Sequence, residues 1–140
     1  MKYKKLKLYT DGGARGNPGP AGIGAVILNE EGRIMAEISE YIGEATNNQA
    51  EYKALIAGLT KAKELGASEL EVFLDSELVV KQLNREYRVK DKHLAPLFLQ
   101  VYNISLGFKK IIFKHIRREK NEIADKLVNQ ALDKECGLRH

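Results

Sequence analysis

The chain has 140 residues and 44% hydrophobic content, which fits one domain, residues 1–140, with a core that needs neither disulfides nor a structural metal. Its single cysteine, Cys136, excludes an internal disulfide or a cysteine-based zinc site and favours the cytoplasm, and no stretch is apolar enough for a signal peptide or a membrane span. The net charge of +4 suits a polyanionic partner but does not by itself indicate one.

The first part of the chain is predicted to form an antiparallel meander of three strands. Residues 5–11 alternate between apolar and polar side chains, which is the period of a β-strand, and Asp11 falls at the end of that strand. The run 12–20 is rich in glycine and proline and predicts a loop. Two further strands, 21–29 and 33–42, follow with a hairpin turn between them.

The second part of the chain alternates helices with strands. Apolar residues recur at spacings of three and four, which predicts a helix with Asn47 or Asn48 as its N-cap and Gly66 just after its end. The remaining predicted elements are a strand over 69–75, a short helix from Ser76, a helix over 93–106, a strand over 110–115, and a helix over 119–134 that turns Ile123 inward. Strands that pair as hairpins and then alternate with helices predict the α/β class with a mixed sheet.

Four acidic residues occupy positions where a solvent-facing acid is not expected. Asp11 and Asp75 each end a strand, and the strand ends of α/β sheets are where functional sites collect. Glu51 falls on the apolar stripe of its helix, and Asp125 borders the apolar stripe of the last helix. Because buried like charges are unfavourable unless cations neutralise them, these acids predict a cation site.

The donor set favours hard divalent cations. Carboxylates without a histidine or cysteine cluster suit Mg²⁺ or Mn²⁺, and two such ions can activate a water and stabilise the leaving oxygen in phosphodiester hydrolysis. The alternative is that each acid caps a helix, lies on the surface or pairs with a base. Asp75, which precedes Ser76 and Glu77, is placed for such a cap. Periodicity alone leaves both interpretations open.

Four segments resemble, in order, the motifs of type 1 ribonuclease H. They are Tyr9-Thr10-Asp11-Gly12-Gly13 with its continuation to Gly22, Thr46-Asn47-Asn48-Gln49-Ala50-Glu51, Asp75-Ser76, and Asn121-Glu122-Ile123-Ala124-Asp125. The motifs extend over nearly the whole chain, so the resemblance is specific. It implies a ribonuclease H-like fold with a five-stranded mixed sheet, in which three antiparallel strands are followed by parallel ones and helices flank the sheet.

The resemblance also implies an activity. Members of this family are Mg²⁺-dependent endonucleases that cleave the RNA strand of RNA–DNA hybrids and leave 3′-hydroxyl and 5′-phosphate ends. It makes Asp11, Glu51, Asp75 and Asp125 the ligands of two Mg²⁺ (or Mn²⁺) ions. We expect a monomer that binds the hybrid and needs no small-molecule cofactor. The alternatives are a related nuclease that acts on double-stranded RNA or DNA, and a hybrid-binding module with weak catalysis.

Groups beside the carboxylates are candidates for substrate recognition. The 2′-hydroxyls in the minor groove of a hybrid distinguish RNA from DNA. Glu51 and the backbone of Gly12 and Gly13 are candidates to bind them. Three asparagines beside the site supply further amide groups, although turns and caps are their common use: Asn17, Asn47 and Asn48.

Two features depart from many members of that family. His115 stands ten residues before Asp125, where such members carry an assisting histidine, but the apolar run before it predicts a strand. The segment resembles more the shorter variant of the family with a Pro-Arg-Glu-type turn, in which an arginine faces the metals. Our hypothesis therefore gives the assisting role to Arg118, with His115 as the alternative. We expect the chain to lack both the basic handle that some members insert and a preceding hybrid-binding domain, and we interpret it as a bare catalytic core. Lys90, in the short connector that remains, is a candidate for gripping the substrate.

Overall fold

The computed structural model describes residues 4–136 of the predicted single domain, and residues 1–3 and 137–140 lie outside the described range. In chain order the elements are β1 (Lys4–Ala14), β2 (Gly19–Leu28), β3 (Ile34–Ala45), α1 (Asn47–Glu64), β4 (Ala67–Leu74), α2 (Glu77–Leu83), α3 (Ala95–Ser105), β5 (Lys110–His115) and α4 (Glu122–Cys136). A 3₁₀ turn, Arg118–Lys120, precedes α4. Within residues 4–136, no helix has the length and apolar character needed to cross a membrane.

A single five-stranded sheet with the order β3-β2-β1-β4-β5 organises the fold. The first three strands pair antiparallel, and β4 and β5 continue the sheet parallel to β1. Helix α1 packs on one face of β1 and β2, and α4 packs on the other face of β2 and β3. The predicted fold class, an α/β protein with a mixed sheet, is confirmed.

The main core lies between the sheet and α1. Leu8 of β1 and Val72 of β4 are fully buried against Leu55 and Leu59 of α1. Each such side chain contributes roughly 2 kcal/mol through the removal of apolar surface from water. This packing holds α1 firmly across β1, and the N-terminal end of the helix thereby comes to lie beside the ends of β1 and β4.

The predicted loop over residues 12–20 is wrong at both of its ends. Strand β1 continues through Gly12 to Ala14, β2 begins at Gly19, and only residues 15–18 connect them. A Cβ atom at Gly12 would overlap with the backbone of Ala50 in α1. The glycine is therefore required for the close approach of a helix to a strand, rather than for a turn.

Two predictions about helix ends are also wrong. The N-cap of α1 is Thr46, whose hydroxyl accepts from the Gln49 N–H at 3.1 Å, while the Gln49 side chain accepts from the Thr46 N–H at 2.8 Å. This reciprocal capping box satisfies two free donors, which explains why Thr46 prevails over Asn47 and Asn48. Ile123, predicted to turn inward, is 46% exposed and lies in the first turn of α4, which begins only at Glu122.

Candidate active site

Two neighbouring parallel strands bring the first pair of acids together. The register of β1 and β4 pairs Tyr9 with Phe73, and their rings stack with centroids 4.7 Å apart. Asp11 and Asp75 each lie two residues further along, on the same face of the sheet. The side chain of Ser76 accepts from the Val79 N–H at 3.3 Å, so Ser76 is the N-cap of α2 and the carboxylate of Asp75 is not used as a cap.

Helix α1 supplies the third acid. Glu51 lies in the first turns of α1, where the helix crosses Gly12 closely. The Gly12 N–H donates to Glu51 Oε1 at 3.1 Å, which fixes the carboxylate against β1. Only 7% of the Glu51 surface remains exposed. The glycine therefore both admits the helix and orients its glutamate.

Helix α4 brings the fourth acid from the opposite face of the sheet. Gly24 of β2 pairs directly with Asp11, and a Cβ atom at Gly24 would overlap with the Ala124 carbonyl of α4. Because the helix lies so close to β2 at this point, Asp125 comes near enough to Asp11 for its charge to raise the pKa of Asp11. The Asn129 amide nitrogen lies 3.5 Å from Asp125 Oδ2.

The four acids line one cleft of about 400 Å³. Carboxylate oxygens of Asp11, Glu51 and Asp75 all lie within 4.8 Å of one another, and Asp125 adjoins this group through Asp11. The structure thus brings together the four acids that were selected from strand ends and helical phase. Their role as metal ligands stays a prediction.

Burial and mutual repulsion make the negative charge of this cleft unfavourable. Desolvation, followed by the charges of Asp75 and Asp125, raises the pKa of Asp11 from 3.8 to about 8. Burial and the charge of Asp11 likewise raise the pKa of Glu51 well above its usual value, while the Gly12 N–H and Arg118 oppose this shift. Both effects disfavour the charged carboxylate in the absence of a cation.

These residues fit a divalent cation site. Three carboxylates converge from strand β1, from the residue directly after β4 and from helix α1, and the set contains only hard oxygen donors. Among residues 4–136, none of the four acids forms a salt bridge with a lysine, arginine or histidine. Positive charge supplied by metal ions would therefore relieve a repulsion that the chain leaves uncompensated.

Asn121, which belongs to the fourth motif but was not predicted as a site residue, supports the site. It is 1% exposed, and its amide nitrogen donates to Asp75 Oδ2 at 3.0 Å and to the Thr10 carbonyl at 2.8 Å. These bonds tie the start of α4 to the ends of β1 and β4. The available signal was an asparagine directly before a helix, but this position is equally typical of an ordinary N-cap.

The predicted substrate-binding asparagines have different surroundings. Asn17 accepts from the Asn47 N–H at 2.9 Å, and Asn47 in turn accepts from the Ala14 N–H at 2.8 Å. These bonds hold the 15–18 connection against α1. Asn47, Asn48 and Gly13 line the carboxylate cleft, and Asn17 does not. Contact of any of them with substrate remains a prediction.

The three predicted basic residues, Arg118, His115 and Lys90, lie at different distances from the site, and only the first lines the cleft. Arg118 lines the cleft, and its charge acts on Glu51. His115 is the last residue of β5, as predicted, and is exposed outside the lining of the cleft. Lys90 lies on the exposed connector between α2 and α3 and is also outside the cleft. The placement therefore favours Arg118 over His115 for contact with a bound phosphate.

Comparisons with known proteins found similar sequences that match most of this chain. A family model described as reverse transcriptase-like matches residues 9–131. The bifunctional protein Rv2228c of Mycobacterium tuberculosis is 45% identical over 130 residues, which cover 92% of this chain and 36% of that protein. A ribonuclease HI of Halobacterium salinarum is 43% identical over 129 residues, which cover 92% of this chain and 65% of that protein. The chain therefore spans about a third of the mycobacterial relative and 65% of the archaeal one.

A solved structure has the same fold over almost the whole chain. LC11-RNase H1, which was isolated from compost by a metagenomic approach, has been solved in complex with an RNA/DNA hybrid. It matches with a TM-score of 0.90 and 48% sequence identity over 94% of this chain and 99% of its own.

Proposed function

Because this chain belongs to the ribonuclease H family, we propose that it hydrolyses the RNA strand of RNA–DNA hybrids and leaves 3′-hydroxyl and 5′-phosphate ends. The observation that carries the proposal is the convergence of Asp11, Glu51, Asp75 and Asp125 on one cleft, where none of them forms a salt bridge within residues 4–136. The hybrid bound to LC11-RNase H1 supports the substrate class.

The four carboxylates are proposed to hold two Mg²⁺ or Mn²⁺ ions. Asp11 is central, since it adjoins Glu51 and Asp75 on one side and Asp125 on the other. When bound, such ions supply Lewis acidity, which activates a water and stabilises the leaving oxygen in phosphoryl transfer.

The chain's own residues orient these ligands before substrate arrives. The Gly12 N–H holds one oxygen of Glu51, and the Asn121 amide holds one oxygen of Asp75. Each carboxylate therefore keeps its other oxygen for a cation. Arg118 adds a positive charge at the rim of the cleft, where its planar guanidinium can bind a phosphate oxygen.

Selection for RNA is proposed to occur beside the carboxylates. A 2′-hydroxyl is both a donor and an acceptor, and it distinguishes the RNA strand in the wide minor groove of the hybrid. Glu51 can accept from this hydroxyl, and the half-buried Asn48 side chain lines the same cleft with amide donors. The Gly12 N–H is already bonded to Glu51, so it acts on RNA through that carboxylate.

The direct test incubates the purified protein with 5′-labelled RNA–DNA, RNA–RNA and DNA–DNA duplexes of one sequence, with and without Mg²⁺ or Mn²⁺. We expect metal-dependent cleavage that is confined to the RNA of the hybrid. Equal cleavage of RNA–RNA or DNA–DNA would instead identify a nuclease of related chemistry and different substrate. Binding of the hybrid without cleavage in either metal would identify a binding module and contradict the proposed activity.

A cytoplasmic location and a monomeric state belong to the same proposal. The single cysteine supports a reducing compartment. The cleft is built within one chain, so the catalytic set needs no second copy. Sedimentation of the active protein alone and with hybrid would test the monomer directly.

A further inference from the structure

A buried hydrogen bond joins the helix that carries Glu51 to the helix that follows Asp75. Tyr52 of α1 is fully buried, and its hydroxyl donates to Gln82 Oε1 of α2 at 2.7 Å. Gln82 itself is only 6% exposed. Because both partners give up water to form this bond, its net contribution to stability is modest, and its main consequence is to favour one geometry between the two helices.

Apolar contacts between α1 and α2 surround this bond. Leu55 of α1 and Val79 of α2 are fully buried in the same core as the Tyr52 ring. Apolar contacts are not directional, so they hold the two helices together without fixing their relative rotation. The hydrogen bond from Tyr52 to Gln82 depends on both distance and angle, and it therefore adds the constraint that the apolar contacts lack.

The bond lies between the two segments that support Glu51 and Asp75. Tyr52 directly follows Glu51 in α1, and the two side chains bond to different elements, Tyr52 to α2 and Glu51 to β1. Helix α2 begins two residues after Asp75, and Gln82 lies in its last turn. The seven residues of α2 form a rigid rod of about 10 Å. A bond at the far end of this rod therefore sets the direction of the whole helix, including the end beside Asp75.

The other bonds to these acids do not connect α1 to α2. The Gly12 N–H of β1 holds Glu51, and the Asn121 amide at the start of α4 holds Asp75. Carboxylate oxygens of Glu51 and Asp75 lie within 4.8 Å of each other. A divalent cation such as Mg²⁺ requires its oxygen ligands at closely defined distances and angles. A small rotation of α2 against α1 would therefore change the spacing into which the cation must fit.

We propose that Tyr52 and Gln82 are positioning residues, whose buried hydrogen bond sets the spacing of Glu51 and Asp75 for divalent cations. This inference rests on the proposed function, since it concerns the cation site of the same cleft. Neither Tyr52 nor Gln82 is among the residues that line the cleft, so both act through the two carboxylates rather than on the substrate. The competing explanation is that the bond stabilises the fold and has no separate effect on the cation site.

Two variants remove the hydrogen bond with different consequences for stability. Tyr52→Phe removes the donor and leaves the buried Gln82 oxygen without it, so both stability and positioning are lost. The double variant Tyr52→Phe/Gln82→Met replaces both partners with apolar groups of similar shape. Such a replacement restores stability and still lacks the directional bond.

Phe108→Leu is the control for stability alone. Phe108 is 7% exposed and belongs to the main core, so its shortening lowers stability. The N–H of the next residue, Lys109, donates to the carbonyl of Ser68 at 2.8 Å. Ser68 lies at the start of β4, so Phe108 is at the end of that strand opposite to the cleft.

Calorimetric titration with Mn²⁺ in the absence of hybrid measures cation binding without turnover, and thermal melts in EDTA measure stability. We expect Tyr52→Phe to lower Tm and to raise the Kd for Mn²⁺ about fivefold, less than the loss of a residue that holds a ligand directly. The double variant should recover most of the Tm and keep the raised Kd. The Phe108→Leu control should lower Tm and keep the Kd of the parent.

Two results would overturn the proposal. A Kd for Mn²⁺ that changes in step with Tm across all three variants would show that the bond only stabilises the fold. Parent-like Mn²⁺ binding by Tyr52→Phe, in a parent that binds Mn²⁺ and cleaves the hybrid, would overturn the positioning role and leave the proposed function intact. If the parent itself binds no Mn²⁺, the cation site of the proposed function and the positioning role are both contradicted.

Discussion

The outer face of β4 carries acids in two different surroundings. Near its start, Glu69 lies 4.0 Å from Lys5, and Glu71 accepts from Lys114 at 2.9 Å. That hydrogen bond lowers the pKa of Glu71. Just beyond the end of the strand, Asp75 joins Asp11 and Glu51, where burial and repulsion raise the pKa values of Asp11 and Glu51. The comparison teaches that an acid indicates a cation site where the fold buries it among other acids and forms no salt bridge with it.

The largest contrast is expected between Asp11→Asn and Glu71→Gln. Both changes remove one negative charge from the outer face of the sheet. Asp11→Asn should lower kcat for hybrid cleavage about a thousandfold or more, because the central ligand of the metal set is lost. Glu71→Gln should leave kcat within about twofold, since its exposed salt bridge contributes little. Single-turnover cleavage of labelled hybrid measures both, and comparable losses would remove the distinction between the two groups of acids.

Asn121→Ala tests the support of Asp75. Loss of the amide leaves the Asp75 carboxylate free to rotate, so the Mg²⁺ concentration for half-maximal activity should rise roughly tenfold to a hundredfold. Asn129→Ala is the matched control, because its 3.5 Å contact with Asp125 is weak. The Mg²⁺-induced rise in Tm gives a second readout that is independent of turnover. A lower kcat with unchanged Mg²⁺ dependence would assign Asn121 a different role.

Arg118→Ala and His115→Ala separate the two candidates for the assisting role. Arg118 lines the cleft and His115 does not, so only the arginine is placed to contact a phosphate there. We expect Arg118→Ala to reduce kcat about tenfold, the size of one charge-assisted hydrogen bond, and His115→Ala to change it by less than about twofold. Arg118→Lys should restore only part of the rate, because the planar fork is lost. An equal or larger loss from His115→Ala would reverse the assignment.

The smallest effect concerns the stability of the metal-free protein. With a pKa of about 8, folded Asp11 keeps a proton that the unfolded chain releases at its ordinary pKa of 3.8. The stability linked to that proton is complete below about pH 4 and is lost as the pH rises through about 8. The Tm of the parent in EDTA should therefore fall across this window by more than that of Asp11→Asn, and Mg²⁺ should restore it at pH 8. Parallel melting curves for the two proteins would contradict the raised pKa.

Most elements of the fold could be predicted because the chain repeats its apolar residues regularly. The alternation in β1 and the three- and four-residue spacing in α1 specify which face of each element is buried. The wrong predictions concern a glycine that a neighbouring helix approaches closely and the cap of a helix. The sequence predicted Gly12 as a loop residue, but in the structure it lies directly against α1. Thr46 is the N-cap instead of Asn47 or Asn48 because it forms reciprocal bonds with Gln49. The contact at Gly12 joins elements that are distant in the chain, which local patterns do not encode, whereas Thr46 followed by Gln49 three residues later is a local capping-box pattern that the prediction overlooked.

For the candidate site, the sequence by itself selected Asp11, Glu51 and Asp75, since strand ends and helical phase place them toward the interior. The tertiary structure decided that they converge. Parallel pairing of β1 with β4 joins the aspartates, and Gly24 lets α4 bring Asp125 to Asp11 on the face opposite to α1. It also decided what orients the acids, since the Gly12 N–H holds Glu51 and the Asn121 amide holds Asp75. The physical reason is that sequence periodicity fixes the direction of a side chain, whereas distances between elements arise only from packing.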